Sequence, residues 1–156
     1  MVSNQSTLHR VVAAVLVGAC GIVLMVTVRS AQAAAPAPVS VFLKAEHLEG
    51  TRPDGGPVTL RLNLDAYGND ESALALTGKV TSTTGAHVVW SMTGSIDGDV
   101  VTFTGVVTDS NNPVLIGMTG WLVANAATGT ATISWQLADL PPGIASGEAK
   151  VDIRAS

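Results

Sequence analysis

Cysteine is almost absent from this chain. The only one among 156 residues is Cys20, which lies inside an apolar run near the N-terminus. A chain that begins after residue 33 would have no thiol, which excludes disulfide bonds, a cysteine nucleophile and cysteine metal ligands. Such a chain depends on packing for its stability, and about 120 residues are enough for one hydrophobic core.

Basic residues are also scarce. Without Arg10 and Arg29, six basic residues remain against twelve acidic ones. Proteins that bind nucleic acid or anionic membrane surfaces need a basic surface. The sequence therefore predicts no nucleic-acid partner, and it predicts membrane contact only through a retained N-terminal segment.

The apolar run itself indicates export. Residues 11–28 carry no charge, and "AQA" (31–33) provides the small residues that a signal peptidase recognises. We predict a secretory signal peptide over 1–33, an Ala/Pro linker over 34–38 and one domain over 39–156. The run of eighteen is also long enough to span a membrane, so an uncleaved anchor is the alternative. Either arrangement places the domain outside the cytoplasm, secreted or in the cell envelope of a bacterium.

No window after the linker shows sustained helical periodicity, and only "KAEHLEG" (44–50) could form a helical turn. Short alternating segments separated by turn residues predict an all-β domain. Eight antiparallel strands are expected in meander order, in a closed β-barrel rather than a two-sheet sandwich. The expected strands cover 39–45, 58–66, 73–82, 86–96, 99–108, 114–124, 130–137 and 148–154.

Glycine follows threonine in the middle of several of these strands, as in "LTGKV", "MTGSI", "FTGVV" and "MTGWL". A two-residue type I′ turn at Asp97-Gly98 would place Trp90 opposite Gly105. A three-residue loop with a left-handed Gly85 would place Trp90 opposite Gly78 as well, and a loop over 110–113 would place Phe103 opposite Gly120. We interpret these glycines as positions where the sheet bends around bulky side chains.

The side chains expected to face inward are nearly all apolar, so the interior is either a filled core or an apolar pocket. The residues expected to contact a small apolar ligand there are the large ones: Trp90, Met92, Phe103, Met118 and Trp135. Polar inward positions occur only at strand ends. A catalytic site normally needs several converging polar groups, so we expect a non-enzymatic domain without a cofactor.

One polar segment is a weak metal candidate. His47, Glu46, Glu49 and Asp54 carry imidazole and carboxylate groups that could bind a divalent ion. Their spacing matches no defined metal motif. A hydrolase or isomerase that uses His47 with these carboxylates is a third hypothesis for function.

The outer face carries an apolar area around strands 99–124. Val89, Val106, Leu115, Trp121 and Val123 are expected there. Exposed areas of this kind mark contact with a partner or a second copy, unless a second sheet or the loop 138–147 covers them. The sequence thus favours a binding or structural module that acts by protein contact, with a carrier of a small apolar ligand as the alternative.

Overall fold

A computed structural model describes residues 37–155, so the predicted signal peptide and most of the linker lie outside the described residues. Within 37–155 no helix is long and apolar enough to cross a membrane. Nine strands form one sheet: β1 (Val39–Thr51), β2 (Pro57–Gly68), β3 (Leu74–Ser82), β4 (His87–Asp97), β5 (Val100–Ser110), β6 (Thr119–Asn125), β7 (Thr130–Gln136), β8 (Gly143–Glu148) and β9 (Lys150–Ala155).

The sheet closes into an antiparallel barrel with eight strands in its wall. Strands β2 to β8 follow one another as neighbours, and β1 pairs with β2 on one side and with β8 and β9 on the other. The short strands β8 and β9, separated by Ala149, together form the eighth position of the wall. The predicted barrel is confirmed, and the sandwich is excluded. The sequence reading missed β8, whose "GIASGE" has little of the β-branched and aromatic character of a strand.

Strand β1 is continuous over 44–50, where the sequence also allowed a helical turn. Its pairing with β2 shifts between Ala45 and Leu48, so that Glu46 and His47 together lie opposite Arg61. This is a β-bulge, which adds one residue and increases the local bend. Because Ala45 and Leu48 both remain buried, the bulge keeps the apolar side of both halves of β1 inside the barrel.

The interior is a single cluster of buried apolar side chains. Alternation assigns it correctly in β2, where Val58, Leu60, Leu62 and Leu64 are buried and the intervening residues are not. Alternation over the expected strand 114–124 places Ile116 inside as well, but 49% of its surface is exposed.

The predicted pairing of β3 with β4 is confirmed, with Gly78 opposite Trp90 and a positive φ of 86° at Gly85. The predicted pairing of β4 with β5 is wrong by two residues: Met92 lies opposite Gly105, and Trp90 lies opposite Val107. The turn consists of Gly98 and Asp99, and only Gly98 has positive φ, at 58°. That matches a type II′ turn, which takes glycine first. A shift of two residues preserves which side chains face inward.

The link from β5 to β6 is also different from the prediction. Residues Pro113–Leu115 form one turn of 3-10 helix, which Asn112 caps by accepting a hydrogen bond from Val114 N. Strand β6 therefore begins at Thr119 rather than at residue 114, and Phe103 lies opposite Leu122 instead of Gly120.

Glycines do leave space for bulky side chains, as predicted, but the side chains that contact them differ from the predicted ones. A Cβ at Gly120 would lie 2.5 Å from Cη2 of Trp90. A Cβ at Gly94 would collide with the ring of Phe103, and a Cβ at Gly143 would collide with the ring of Trp135. Each of these three rings thus lies directly on a glycine backbone, where a side chain would leave no room for it.

Candidate ligand-binding cavity

The two ends of the barrel differ. The loops 52–56, 83–86, 111–118 and 137–142 gather at one end, which we call the open end. At the other end, the closed end, short turns are tied to each other by backbone hydrogen bonds: Ile96 N to Glu71 O (2.7 Å) and Ala126 N to Asp99 O (2.8 Å). Phe103 and Leu74 fill the barrel beneath these turns and are buried.

A cavity of about 310 Å³ occupies the open end. Its volume lies at the lower limit of small-molecule sites. The walls are inward-facing apolar side chains from strands β2, β3, β4 and β7 and from the segment before β6: Val58, Leu60, Val80, Val88, Trp90, Met118, Ile133 and Trp135. The interior is therefore filled at one end and hollow at the other.

Three of the five residues predicted to contact a ligand line this cavity: Trp90, Met118 and Trp135. Met92 and Phe103 do not line it. Both are buried, and Phe103 lies opposite Gly94, close to the turn at the closed end. Alternation could identify inward side chains, but it could not show at which end the packing is incomplete.

The rim of the cavity comes from loops, in which the sequence analysis named Asp54 only as a metal candidate and Leu115 only as an outer-face residue. Arg52, Asn112 and Leu140 each line the opening from a different loop. Leu140, Val114 and Ile116 are exposed large apolar residues in two of these loops. The only signal in the sequence was the presence of apolar residues in loops that are otherwise polar.

Most polar side chains at the rim already have partners. Ser82 Oγ lies 2.6 Å from Thr84 Oγ1, and Asn112 Oδ1 accepts from Val114 N. The carboxylate of Asp54 accepts from Gly56 N at 3.0 Å and lies 3.3 Å from Nη2 of Arg52. These contacts hold the rim loops in place.

Two buried side-chain polar atoms remain without a partner among residues 37–155: Nε1 of Trp90 and Nε of Arg52. Both residues line the cavity. Both atoms are hydrogen-bond donors.

The four metal candidates do not form a cluster. Glu46 and His47 are exposed on the β1 bulge, whereas Asp54 lies in the loop at the open end. In the part of the chain that the structure describes, no three His, Cys, Asp or Glu side chains are placed to share a metal ion. Glu46 instead pairs with Lys44 at 2.8 Å, and a hydrogen bond from that ammonium lowers the pKa of Glu46 below its usual range.

The predicted outer apolar area is present but rearranged. Val106, Trp121 and Val123 are exposed, and Ile144 of β8 extends the area on the far side of Ser134. Val89 is half-buried. Leu115 is not on this face at all, because the 3-10 turn places it at the cavity, packed against the core.

A second depression, of about 360 Å³, crosses the outside of β9, β1 and β2. It is lined by charged and polar residues, among them Asp65, Asp152 and Arg154. The hydrogen bond from Arg154 lowers the pKa of Asp152, so these two charges already neutralise each other.

Comparison of the chain with protein-family models, with curated proteins and with solved structures finds no match.

Proposed function

We propose that the barrel is a non-enzymatic, extracytoplasmic carrier of a small apolar molecule, which it binds in the cavity at the open end. The observation that carries this proposal is the contrast between the two ends of one apolar interior. Protein interiors normally pack to a density that leaves few voids larger than a water molecule. Here about 310 Å³ stays open, and two tryptophans line the space.

The surroundings of the cavity support the same function. Its walls are apolar, so water inside would have few hydrogen-bond partners and a ligand would displace it at little cost. Exposed Leu140 and Ile116 stand in the loops at the opening, where they would lower the cost of bringing an apolar molecule in from water. Burying its apolar surface then supplies the binding free energy.

The test is a titration with butylbenzene, followed in backbone amide NMR spectra and compared in two variants. Ala86 lines the cavity, so Ala86→Phe would occupy part of it. Ala127 is exposed in the turn at the closed end, so Ala127→Phe is the matched control. We expect shifts at the residues lining the cavity, about tenfold weaker binding in Ala86→Phe, and unchanged binding in Ala127→Phe.

The absence of binding would overturn the proposal. So would equal binding by both variants, or shifts that cluster around Trp121 on the outer face.

A second function, self-association, is favoured by a different observation. From β4 to β8 the outer face has charged side chains only at or next to strand ends, and Trp121 (42% exposed) and Ile144 (50% exposed) stand in its middle. Acidic residues outnumber basic ones two to one after residue 33, so two copies repel each other least through an uncharged face. The partner that fits this face is a second copy of the chain.

Sedimentation of the protein tests this second function. Trp121→Ser is expected to shift a dimer toward monomer, whereas Tyr67→Ser, at an exposed aromatic on the charged side, leaves the dimer intact. A protein that is monomeric at all concentrations would contradict self-association.

A further inference from the structure

We infer that the ligand is a neutral amphiphile, whose apolar part fills the cavity while a terminal hydroxyl group lies among Arg52, Asp54 and Asn112 at the opening. This inference rests on the proposed function and adds the chemical class of the ligand to it. It starts from the rim, where the polar and the apolar lining residues come from different parts of the ring of loops.

The polar part of the rim is continuous. Arg52 and Asp54 line the opening from the loop between β1 and β2, and Asn112 lines it from the start of the link between β5 and β6. The loop between β3 and β4 lies between these two segments in the order of the strands. It is joined to the second of them by a hydrogen bond of 2.9 Å from Asn111 Nδ2 to Gly85 O.

The apolar part of the rim takes up the rest of the opening. Leu115 lines it from the 3-10 turn, and Leu137 and Leu140 line it from the loop between β7 and β8. Below both parts the cavity walls are apolar. A molecule in this site therefore meets apolar groups on nearly all sides and hydrogen-bonding groups at one place only.

The polar groups at that place can still bind a ligand. The bond from Val114 N uses only Oδ1 of Asn112, so both N–H donors of this amide remain available. The Asp54 carboxylate is 62% exposed and can accept more bonds than the one from Gly56 N. A hydrocarbon that covered these groups would remove their water and replace none of its hydrogen bonds, which is unfavourable. A hydroxyl can both donate to Asp54 and accept from Asn112.

The charges at the opening favour a neutral ligand. Arg52 and Asp54 are the two charged residues in the described lining, and Nη2 of Arg52 lies 3.3 Å from Oδ2 of Asp54. An anion would meet the carboxylate beside the guanidinium, and a cation would meet the guanidinium beside the carboxylate. Either ion would lose hydration at an opening that has no net charge to offset the loss.

The experiment uses four probes with the same number of carbon atoms: butylbenzene, 4-phenylbutanol, 4-phenylbutyrate and 4-phenylbutylammonium. Binding is followed in NMR spectra of backbone amides and of the Asn112 side-chain amide. We expect the alcohol to bind no more than about threefold more weakly than butylbenzene, since a hydroxyl buried without a partner would weaken binding about tenfold or more. Of these two probes, only the alcohol should move the Asn112 side-chain signal. Both ions should bind more weakly than the alcohol.

A change of charge at the rim tests the neutral class separately. Asp54→Asn removes the carboxylate beside Arg52 and keeps an acceptor oxygen for Gly56 N. Phenylbutyrate should then bind about twofold to fivefold more tightly. Asp97→Asn is the matched control, because it changes the net charge equally at an exposed position of the closed end, and it should leave phenylbutyrate binding unchanged.

The outcomes separate this inference from the proposed function. If no probe binds, the proposed function fails and this inference fails with it. If butylbenzene binds and the alcohol binds more than about threefold more weakly, or leaves the Asn112 signal unmoved, the cavity binds apolar molecules but the rim does not bind a hydroxyl. Tighter binding of either ion than of the alcohol would overturn the neutral class. Equal phenylbutyrate binding by Asp54→Asn and Asp97→Asn would contradict the charge balance assigned to the opening.

Discussion

At the scale of single residues, the barrel depends on a few positions where an aromatic ring lies on a glycine. Gly120 is the clearest, since its missing Cβ leaves space for the ring of Trp90, and Trp90 in turn forms part of the cavity wall. The same contact therefore determines both the packing of the wall and the shape of the site.

Gly120→Ala should destabilise the protein by about 1–3 kcal/mol, the usual effect of overpacking a core. The new Cβ would lie 2.5 Å from a buried ring and 2.8 Å from the carbonyl oxygen of Ser134, neither of which can move away easily. Gly56→Ala is the control, because its Cβ would meet only the end of the flexible Arg52 side chain. Urea unfolding measures both variants. Equal stability of the two would contradict the packing assigned to Trp90.

The free energy of unfolding should fall in acid. Hydrogen bonds from Ser72 lower the pKa of Asp70, and those from Lys44 and Arg154 lower the pKa of Glu46 and Asp152. A carboxyl whose pKa is lower in the folded state stabilises it above the unfolded pKa, and this contribution is lost as pH falls through the folded value. Stability is thus expected to stay level down to about pH 5 and to decline from about pH 4 downward.

Asp70→Asn tests the assignment of this acid dependence. The amide keeps an acceptor oxygen for the N–H of Ser72 but does not titrate. The acid decline, measured as the midpoint of urea unfolding against pH, should be shallower in this variant. A decline that is identical to that of the unchanged protein would show that Asp70 makes no contribution.

At the scale of elements, the β-bulge in β1 determines which side chains of that strand face the interior of the barrel. One extra residue lies between Ala45 and Leu48 relative to β2, and β1 also gains one residue relative to β9 and β8 across the same point. Removing one bulge residue therefore restores regular pairing on both sides at once.

Deletion of His47 should leave a folded barrel with lower stability, because Ala45 and Leu48 would still face inward. Deletion of Lys44 is the matched control. There, regular alternation over the remaining residues would turn Glu46 inward, and a buried unpaired carboxylate is strongly unfavourable. Far-ultraviolet circular dichroism and thermal unfolding compare the two deletions. A folded Lys44 deletion with an unfolded His47 deletion would contradict the register of β1.

The sequence predicted the faces of the strands better than their partners. Inward positions such as Trp90 and Phe103 followed from alternation, and they survived a pairing error of two residues because side chains repeat with that period. The error arose because "DG" is compatible with more than one two-residue turn, and local sequence does not decide which residue starts the turn. Ile116 was misplaced because the 3-10 turn at Pro113 interrupts the strand pattern.

At the scale of the whole molecule, the barrel has an open end and a closed end, which local patterns could not assign. Closure of β1 on β8 and β9 joins residues about a hundred positions apart, and only this closure separates an open end from a closed one. The cavity depends on how four loops pack together at one end, which sequence periodicity does not encode. The two tryptophans of the site were predictable as inward residues, whereas Arg52 and Leu140 were not.

A crystal of the protein soaked with bromobenzene would test the central claim most directly, because the anomalous signal of bromine shows where an apolar molecule resides. The account predicts a bromine peak in the open-end cavity, between Leu60, Trp90 and Trp135. An empty cavity, or bromine only on the outer face beside Trp121, would contradict it.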